Sequence, residues 1–351
     1  MSEELRQTEP FRHLYKPPHI DGSFNGKHII TVEQFQKSDL QTVFEAAFRL
    51  RERVKQKDVS LQALCAGRLM ATLFYEASTR TDMSFQAAMR RLGGSVVAAS
   101  NGVQFSSVYK GENLADTVRA AGCYADVIVL RHPAVGSSYE AAYYIDRLNE
   151  RIASPVAVIS GGDGIGEHPT QALLDLFTIV DHKSGADNLS IALVGDLLYG
   201  RTVHSLAKLI ALYEAKNTTL YFVSPPSLRM PDTIIDFLTK HEIAFHETDD
   251  LYEVLPRTDV IYWTRIQEER FARKADYEAV RDNFIMTPAV LNQARRDVIL
   301  MHPLPRKQEM GTPADHDILD QNPRSVYFQQ MENGMFVRMA LLAKVLGVDE
   351  V

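Results

Sequence analysis

Along the chain, short apolar runs rich in branched residues alternate with longer stretches in which apolar positions recur every three or four residues. Runs of the first kind predict buried strands and stretches of the second kind predict helices, and their alternation predicts parallel βαβ units. The strands read as 69–75, 95–100, 126–131, 155–160, 190–195, 219–224 and 259–264, with helices between them such as 80–92, 112–124, 137–152, 169–183 and 201–214. A last amphipathic stretch, 325–347, predicts a C-terminal helix that packs back on the first part of the fold. The pattern therefore implies an α/β protein made of doubly wound, mostly parallel sheets, with no internal repeat or low-complexity segment.

At 351 residues the chain is long for one core, so two domains follow. The polar, glycine-containing stretch after the 169–183 helix, HKSGADN, suits the boundary. The first 26 residues read as a polar extension without a secretory signal, peripheral to any chemistry. Nothing approaches the run of roughly 18 apolar residues that a membrane span needs, so a soluble, cytoplasmic protein without a membrane partner is expected.

Charge and cysteine content narrow the function. The formal net charge is −7, and no local basic footprint for nucleic acid is apparent. The two cysteines, Cys65 and Cys123, offer neither a disulfide framework nor metal-ligand spacing, so no metal site is expected.

The chemistry gathers at predicted strand ends, where open α/β sheets bind ligands. The turn Ser78-Thr79-Arg80-Thr81 lies between a strand and a helix. Free backbone N–H groups at a helix start attract an anion, and hydroxyls with a guanidinium add donors that suit phosphate. A phosphate group without a nucleotide is the better reading. No Walker loop occurs, and GGDGIG (161–166) reads as lacking the strand-to-helix placement of a dinucleotide fingerprint. Further polar clusters follow: Arg131-His132-Pro133, His168-Pro169-Thr170-Gln171, Gly195-Asp196 with Gly200-Arg201, Thr264-Arg265-Ile266-Gln267, and His302-Pro303-Leu304-Pro305-Arg306.

Together STRT, RHP, HPTQALLDLFTI, VGDLLYGRTVHSL, TRIQEERF and MHPLPR occur in the order found in the transcarbamoylases, and residues 27–347 resemble the aspartate branch of that family. The resemblance implies transfer of a carbamoyl group from carbamoyl phosphate to the amine of L-aspartate, an early step of pyrimidine biosynthesis, with no cofactor. It implies a carbamoyl phosphate domain over 27–167 that regains the 325–347 helix, a connecting helix and hinge over 168–184, and an aspartate domain over 185–322. Residues Ser78, Thr79, Arg80 and Thr81 would hold the phosphate, with Arg131 as a second guanidinium. His168, beside the positive end of a helix and hence neutral, would donate to the carbonyl oxygen, and Gln171 would hold the carbamoyl amide. Ser106 and Lys110 would come from a loop that enters a neighbouring subunit's site, which implies a homotrimer. Arg201, Arg265 and Gln267 would select the carboxylates of aspartate, and the backbone at Pro303 and Leu304 would receive its amine. Glu76, Arg270 and Asp276 occupy the family's positions for ion pairs of the closed form.

A regulatory chain or a further pathway enzyme is a partner the family allows. The nearest alternative is the ornithine branch, whose signature is His-Cys-Leu-Pro where this chain has His302-Pro303-Leu304-Pro305; Arg201 and Arg265 would also repel a side-chain ammonium. A catalytically inactive homologue serving as a binding or assembly subunit, and a nicotinamide-dependent dehydrogenase, are further readings. The sequence departs from the family at ISGGDG, where Asn-Ala-Gly-Asp-Gly is common, and Asp276 stands where Glu is frequent.

Overall fold

The computed structural model describes residues 10–99 and 111–348. Nine strands form two sheets, and every strand pair is parallel. The first sheet has the order β2-β1-β3-β4, with β1 Leu69–Phe74, β2 Ser95–Ala98, β3 Val127–His132 and β4 Ala157–Asp163. The second has the order β7-β6-β5-β8-β9, with β5 Ser190–Val194, β6 Thr219–Val223, β7 Ala244–Thr248, β8 Val260–Trp263 and β9 Ile299–Met301.

The all-parallel arrangement follows from the sequence pattern. Strands such as LMATLF and VIVLRH are nearly all apolar because helices cover both faces of a parallel sheet. The crossovers include helices Thr79–Arg91, Leu114–Gly122, Ser137–Asn149 and Arg201–Leu212. In each sheet the chain leaves a central pair of strands in opposite directions. From β1 it moves to β2 and from β3 to β4; from β5 it moves to β6 and from β8 to β9. The β1/β3 and β5/β8 junctions are thus topological switch points, which leave a crevice at the carboxyl ends of the strands.

The chain divides into two compact units. One contains residues up to Leu173 together with those from Asn333 onward, and the other is Leu174–Glu332. The first unit is centred on Ile128, Leu130, Val158, Ala141 and Ile145, and the second on Val194, Ile261, Trp263, Leu300 and Tyr327. The C-terminal helix, Tyr327–Val345, ends in the first unit.

Three features differ from the sequence reading. Strands β7 and β9 were not foreseen, β7 because it is a half-exposed edge strand and β9 because it has three residues. Residues 10–26, read as a polar extension, are packed into the first unit. Phe11 packs edge-on against Tyr143 at 5.4 Å, the Tyr15 hydroxyl donates to Asp146 at 2.8 Å, and Ile20 and Phe24 are buried. Finally, GGD at 161–163 closes β4, and the following turn leads directly into the helix Pro169–Lys183, so this stretch does join a strand to a helix. It still is no dinucleotide loop. The Asp163 carboxylate fills the turn, accepting from the N–H groups of Gly136 at 3.0 Å and Glu167 at 2.9 Å where a pyrophosphate would have to sit.

Candidate functional site

The first unit places one group of predicted residues around its switch point. Ser78 is the N-cap of the Thr79–Arg91 helix, yet its hydroxyl makes no capping hydrogen bond. The cap is therefore not what the hydroxyl is there for. Of the next three residues, Thr79 and Arg80 face outward and Thr81 is buried. Neighbouring atoms nonetheless desolvate Arg80, pushing its guanidinium below the usual range.

Across the crevice, Arg131 sits on β3 in register with Phe74 of β1 and is 9% exposed. A guanidinium at this depth needs partners, and it has them: Glu76 at 2.9 Å and the Gly161 carbonyl at 3.1 Å. Glu76, expected as an ion-pair residue of a closed form, here holds a guanidinium of its own unit. His168 precedes Pro169 at the first turn of its helix and is 4% exposed, and its carbonyl accepts the N–H of Gln171 at 3.0 Å. His132, in register with Asp163, accepts the Ala134 N–H on Nδ1 at 3.1 Å, and burial lowers its pKa to about 4.

Sequence reasoning missed the residue that ties these pieces together. Arg338, on the C-terminal helix and 3% exposed, donates to Ser84 of the Thr79–Arg91 helix at 2.9 Å and to Thr170, two residues after His168, at 3.4 Å. Its guanidinium also lies 5.0 Å from the Phe85 ring centroid. An arginine within an apolar helical run is the one sequence signal that could have pointed to it.

The second unit repeats the scheme with different residues. Gly195 follows β5 at φ +117, and a Cβ there would lie 2.3 Å from the Thr264 carbonyl oxygen, so only glycine lets the ends of β5 and β8 approach this closely. Asp196 is fully buried and accepts from the N–H groups of Tyr199 at 2.9 Å and Gln267 at 3.2 Å. Burial raises its pKa, and those two bonds and the Arg265 charge counter the rise. The Gln267 side chain donates to the Tyr199 carbonyl at 3.1 Å. Arg201 opens its helix with its N–H on the same Tyr199 carbonyl at 3.0 Å, so residues from the two predicted segments converge.

After β9 the chain turns at His302-Pro303-Leu304-Pro305. Leu304 has φ 54, a left-handed backbone that costs a non-glycine residue free energy, and its peptide bond to Pro305 is cis. Buried hydrogen bonds fix the turn. His302 Nδ1 accepts the Leu304 N–H at 2.8 Å, so Nε2 carries the proton and donates to Glu309 at 3.1 Å. Behind it, the His302 N–H donates to Gln330 at 2.9 Å, Gln330 donates to Asp175 at 2.6 Å, and Tyr262 donates to Asp175 at 2.7 Å. Glu309 and Gln330 lie outside the motifs, and Asp175 lies inside HPTQALLDLFTI without a role read from it.

Arg270 is half-buried. Asp276 is taken up locally, in a bidentate pair with exposed Arg273 at 2.7 and 2.9 Å. Ser106 and Lys110 lie outside the described residues. Among the described residues, no group of three or more His, Cys, Asp or Glu is placed to hold a metal ion, and no helix is long and apolar enough to cross a membrane.

Two parallel sheets with phosphate-type donors at one switch point and guanidinium and amide groups at the other define a carbamoyl-group transferase fold. Residues 27–181 match the carbamoyl-P binding domain of aspartate/ornithine carbamoyltransferases, and residues 187–345 match their Asp/Orn binding domain. The chain belongs to this family, on its aspartate side. It is 44% identical over 325 residues to the aspartate carbamoyltransferase catalytic subunit of Thermococcus gammatolerans, covering 93% of this chain and 99% of that one. It is 50% identical over 324 residues to the multifunctional protein CAD of Squalus acanthias, covering 92% of this chain but only 14% of that protein. Aspartate transcarbamoylase from Trypanosoma cruzi, solved with carbamoyl phosphate and aspartate, superposes with a TM-score of 0.82 at 38% identity over 95% of this chain and 100% of that one.

Proposed function

We propose that this chain catalyses carbamoyl transfer from carbamoyl phosphate to L-aspartate, giving N-carbamoyl-L-aspartate and phosphate. The observation that carries this reading is the placement of Arg131, locked by Glu76 and the Gly161 carbonyl, in strand register with the end of β1, from which the Ser78–Thr81 turn departs. Two guanidiniums and an N-terminal helical turn with a spare hydroxyl form a dianion site that needs no cofactor.

In the reaction the aspartate amine attacks the carbonyl carbon. The new C–N bond forms, the C–O bond to phosphate breaks, and the amine's proton passes to the departing phosphate. Negative charge grows first on the carbonyl oxygen and then on phosphate. Arg80 and the neutral ring of His168 serve the first, and Ser78, Thr79, Thr81 and Arg131 the second, as donors fixed before the charge appears. Gln171 holds the carbamoyl amide.

In the second unit Arg201, Arg265 and Gln267 bind the two carboxylates, and the strained backbone at Pro303 and Leu304 orients the amine. Arg270 and Asp276 exchange partners when both substrates are bound. Substrate work divides within residues 168–184, with carbamoyl phosphate handled by residues up to Gln171 and aspartate by residues from Arg201 onward.

A homotrimer in the cytoplasm follows from the family, with Ser106 and Lys110 completing a neighbouring subunit's site. The multifunctional relatives support association with other enzymes of the same pathway.

The test is product formation by the purified chain from carbamoyl phosphate with aspartate or ornithine in separate reactions. Carbamoyl-aspartate from aspartate alone supports the reading. Citrulline would transfer the chain to the ornithine side, and silence with both would make it an inactive subunit.

A further inference from the structure

The segment before residue 27 builds a polar cavity of its own. Its volume is about 490 Å³, enough for a small metabolite, and it is walled by Arg12, His13, Lys16 and His19 on one side and by Thr31, Glu33 and Tyr139 on the other. The wall is held in place. Tyr15 is bonded to Asp146, and Phe11 packs on the tyrosines of the Ser137–Asn149 helix. The Lys27 ammonium donates to the His19 and Ile20 carbonyls at 2.6 and 2.5 Å. Gln34 spends its amide on the Pro18 and His28 carbonyls, at 3.0 and 2.7 Å, and so is structural.

The four side chains on the first wall are exposed and all present nitrogen donors, two of them permanently cationic. Among the described lining residues Glu33 is the single carboxylate. Behind the wall Glu167 accepts the Val32 N–H at 2.9 Å, and Asp163 accepts from Gly136 and Glu167 with the Arg12 guanidinium as a counter-charge. In a protein of net charge −7, a positive concavity of this size is a departure that selects for an anion.

We infer that this cavity is an accessory binding site for a phosphate monoester, with Arg12 and Lys16 on the phosphate and Thr31 and Tyr139 facing the organic part. A dianion matches an arginine fork joined by an ammonium and two imidazoles. The volume exceeds that of phosphate alone and leaves room for an esterified polyol of sugar size.

The inference stands independently of the catalytic assignment, and calorimetric titration of the full chain with glycerol 3-phosphate tests it. The R12A/K16A variant, altered only at exposed positions, is expected to lose at least tenfold in affinity at one class of site. Glu33→Gln is expected to tighten that class, and Arg80→Ala to leave it unchanged while removing any binding at the first switch point. Affinity within twofold of wild type in R12A/K16A, or loss of all binding in Arg80→Ala alone, would overturn the inference.

Discussion

Glu76 and Arg131 are ion-paired at 2.9 Å, joining the segment that follows β1 to the end of β3. The pair sets where a largely buried guanidinium points. Glu76→Gln keeps the shape but removes the charge that holds Arg131, so the KM for carbamoyl phosphate should rise about tenfold with a smaller change in kcat. A double-mutant cycle with Arg131→Ala checks it, because two residues acting as one unit give effects that do not add.

Arg80 and His168 are placed to meet the charge of the transition state. Replacing either by Ala should lower turnover by about 10² or more, the cost of removing an oxyanion donor. Steady-state rates on variants that retain wild-type unfolding curves would show this, and near-wild-type turnover in either would void its role.

Arg338 touches no substrate in the proposed reaction but bonds to Ser84 and Thr170 on the two helices that carry Ser78–Thr81 and His168. Arg338→Met keeps the packing volume and loses the donors. It should destabilise the chain by about 1–3 kcal/mol and weaken carbamoyl phosphate binding more than aspartate binding. Urea unfolding read beside the two KM values separates the effects.

Glu309 holds the tautomer of His302. Burial would raise its pKa, but the hydrogen bonds from His302 and the Lys307 N–H outweigh this and keep it below the usual value. A depressed carboxylate contributes stability above its unfolded pKa, and that stability is lost as pH falls through the folded value. Glu309→Gln should abolish this acid-side contribution and raise the KM for aspartate more than that for carbamoyl phosphate, as unfolding between about pH 3 and 6 and kinetics would reveal.

Asp163 has the opposite sign. Burial pushes it up to about 6 despite the N–H groups of Glu167 and Gly136. A raised carboxylate binds more protons when folded, so wild type should lose stability relative to Asp163→Asn as pH rises from about 4 to 6, by on the order of 3 kcal/mol, and then level off. An unchanged difference across that window would mean that Asp163 is ionised throughout.

The sequence made the fold legible where runs were long and buried. The strands at 69–74, 127–132 and 190–194 are almost uninterrupted apolar segments, and nothing but a covered parallel sheet uses such runs. Strand β7, AFHET, has a polar half-exposed edge and carries no such signal. The phosphate and carboxylate ligands were readable because their residue types match their chemistry at strand ends. Arg338, Asp175 and Gln330 were not, because each acts through a partner distant in sequence, and Glu309 was not, because a carboxylate seven residues after His302 carries no signature of its own. The GGDGIG stretch was misread for a related reason: the Asp163 side chain, rather than the glycine spacing, decides what the turn after β4 can hold.

The first unit is completed only by residues from Asn333 onward, whereas the second is one continuous stretch, Leu174–Glu332. On a ribosome, the second unit can therefore finish folding as soon as it emerges, while the first waits until the residues from Asn333 onward have been made. Until then it lacks Phe336, Val337 and Leu341, which are buried in the finished protein. A nascent chain of this kind exposes apolar surface while residues 174–332 are being made, a window in which chaperones would act on the first unit rather than the second.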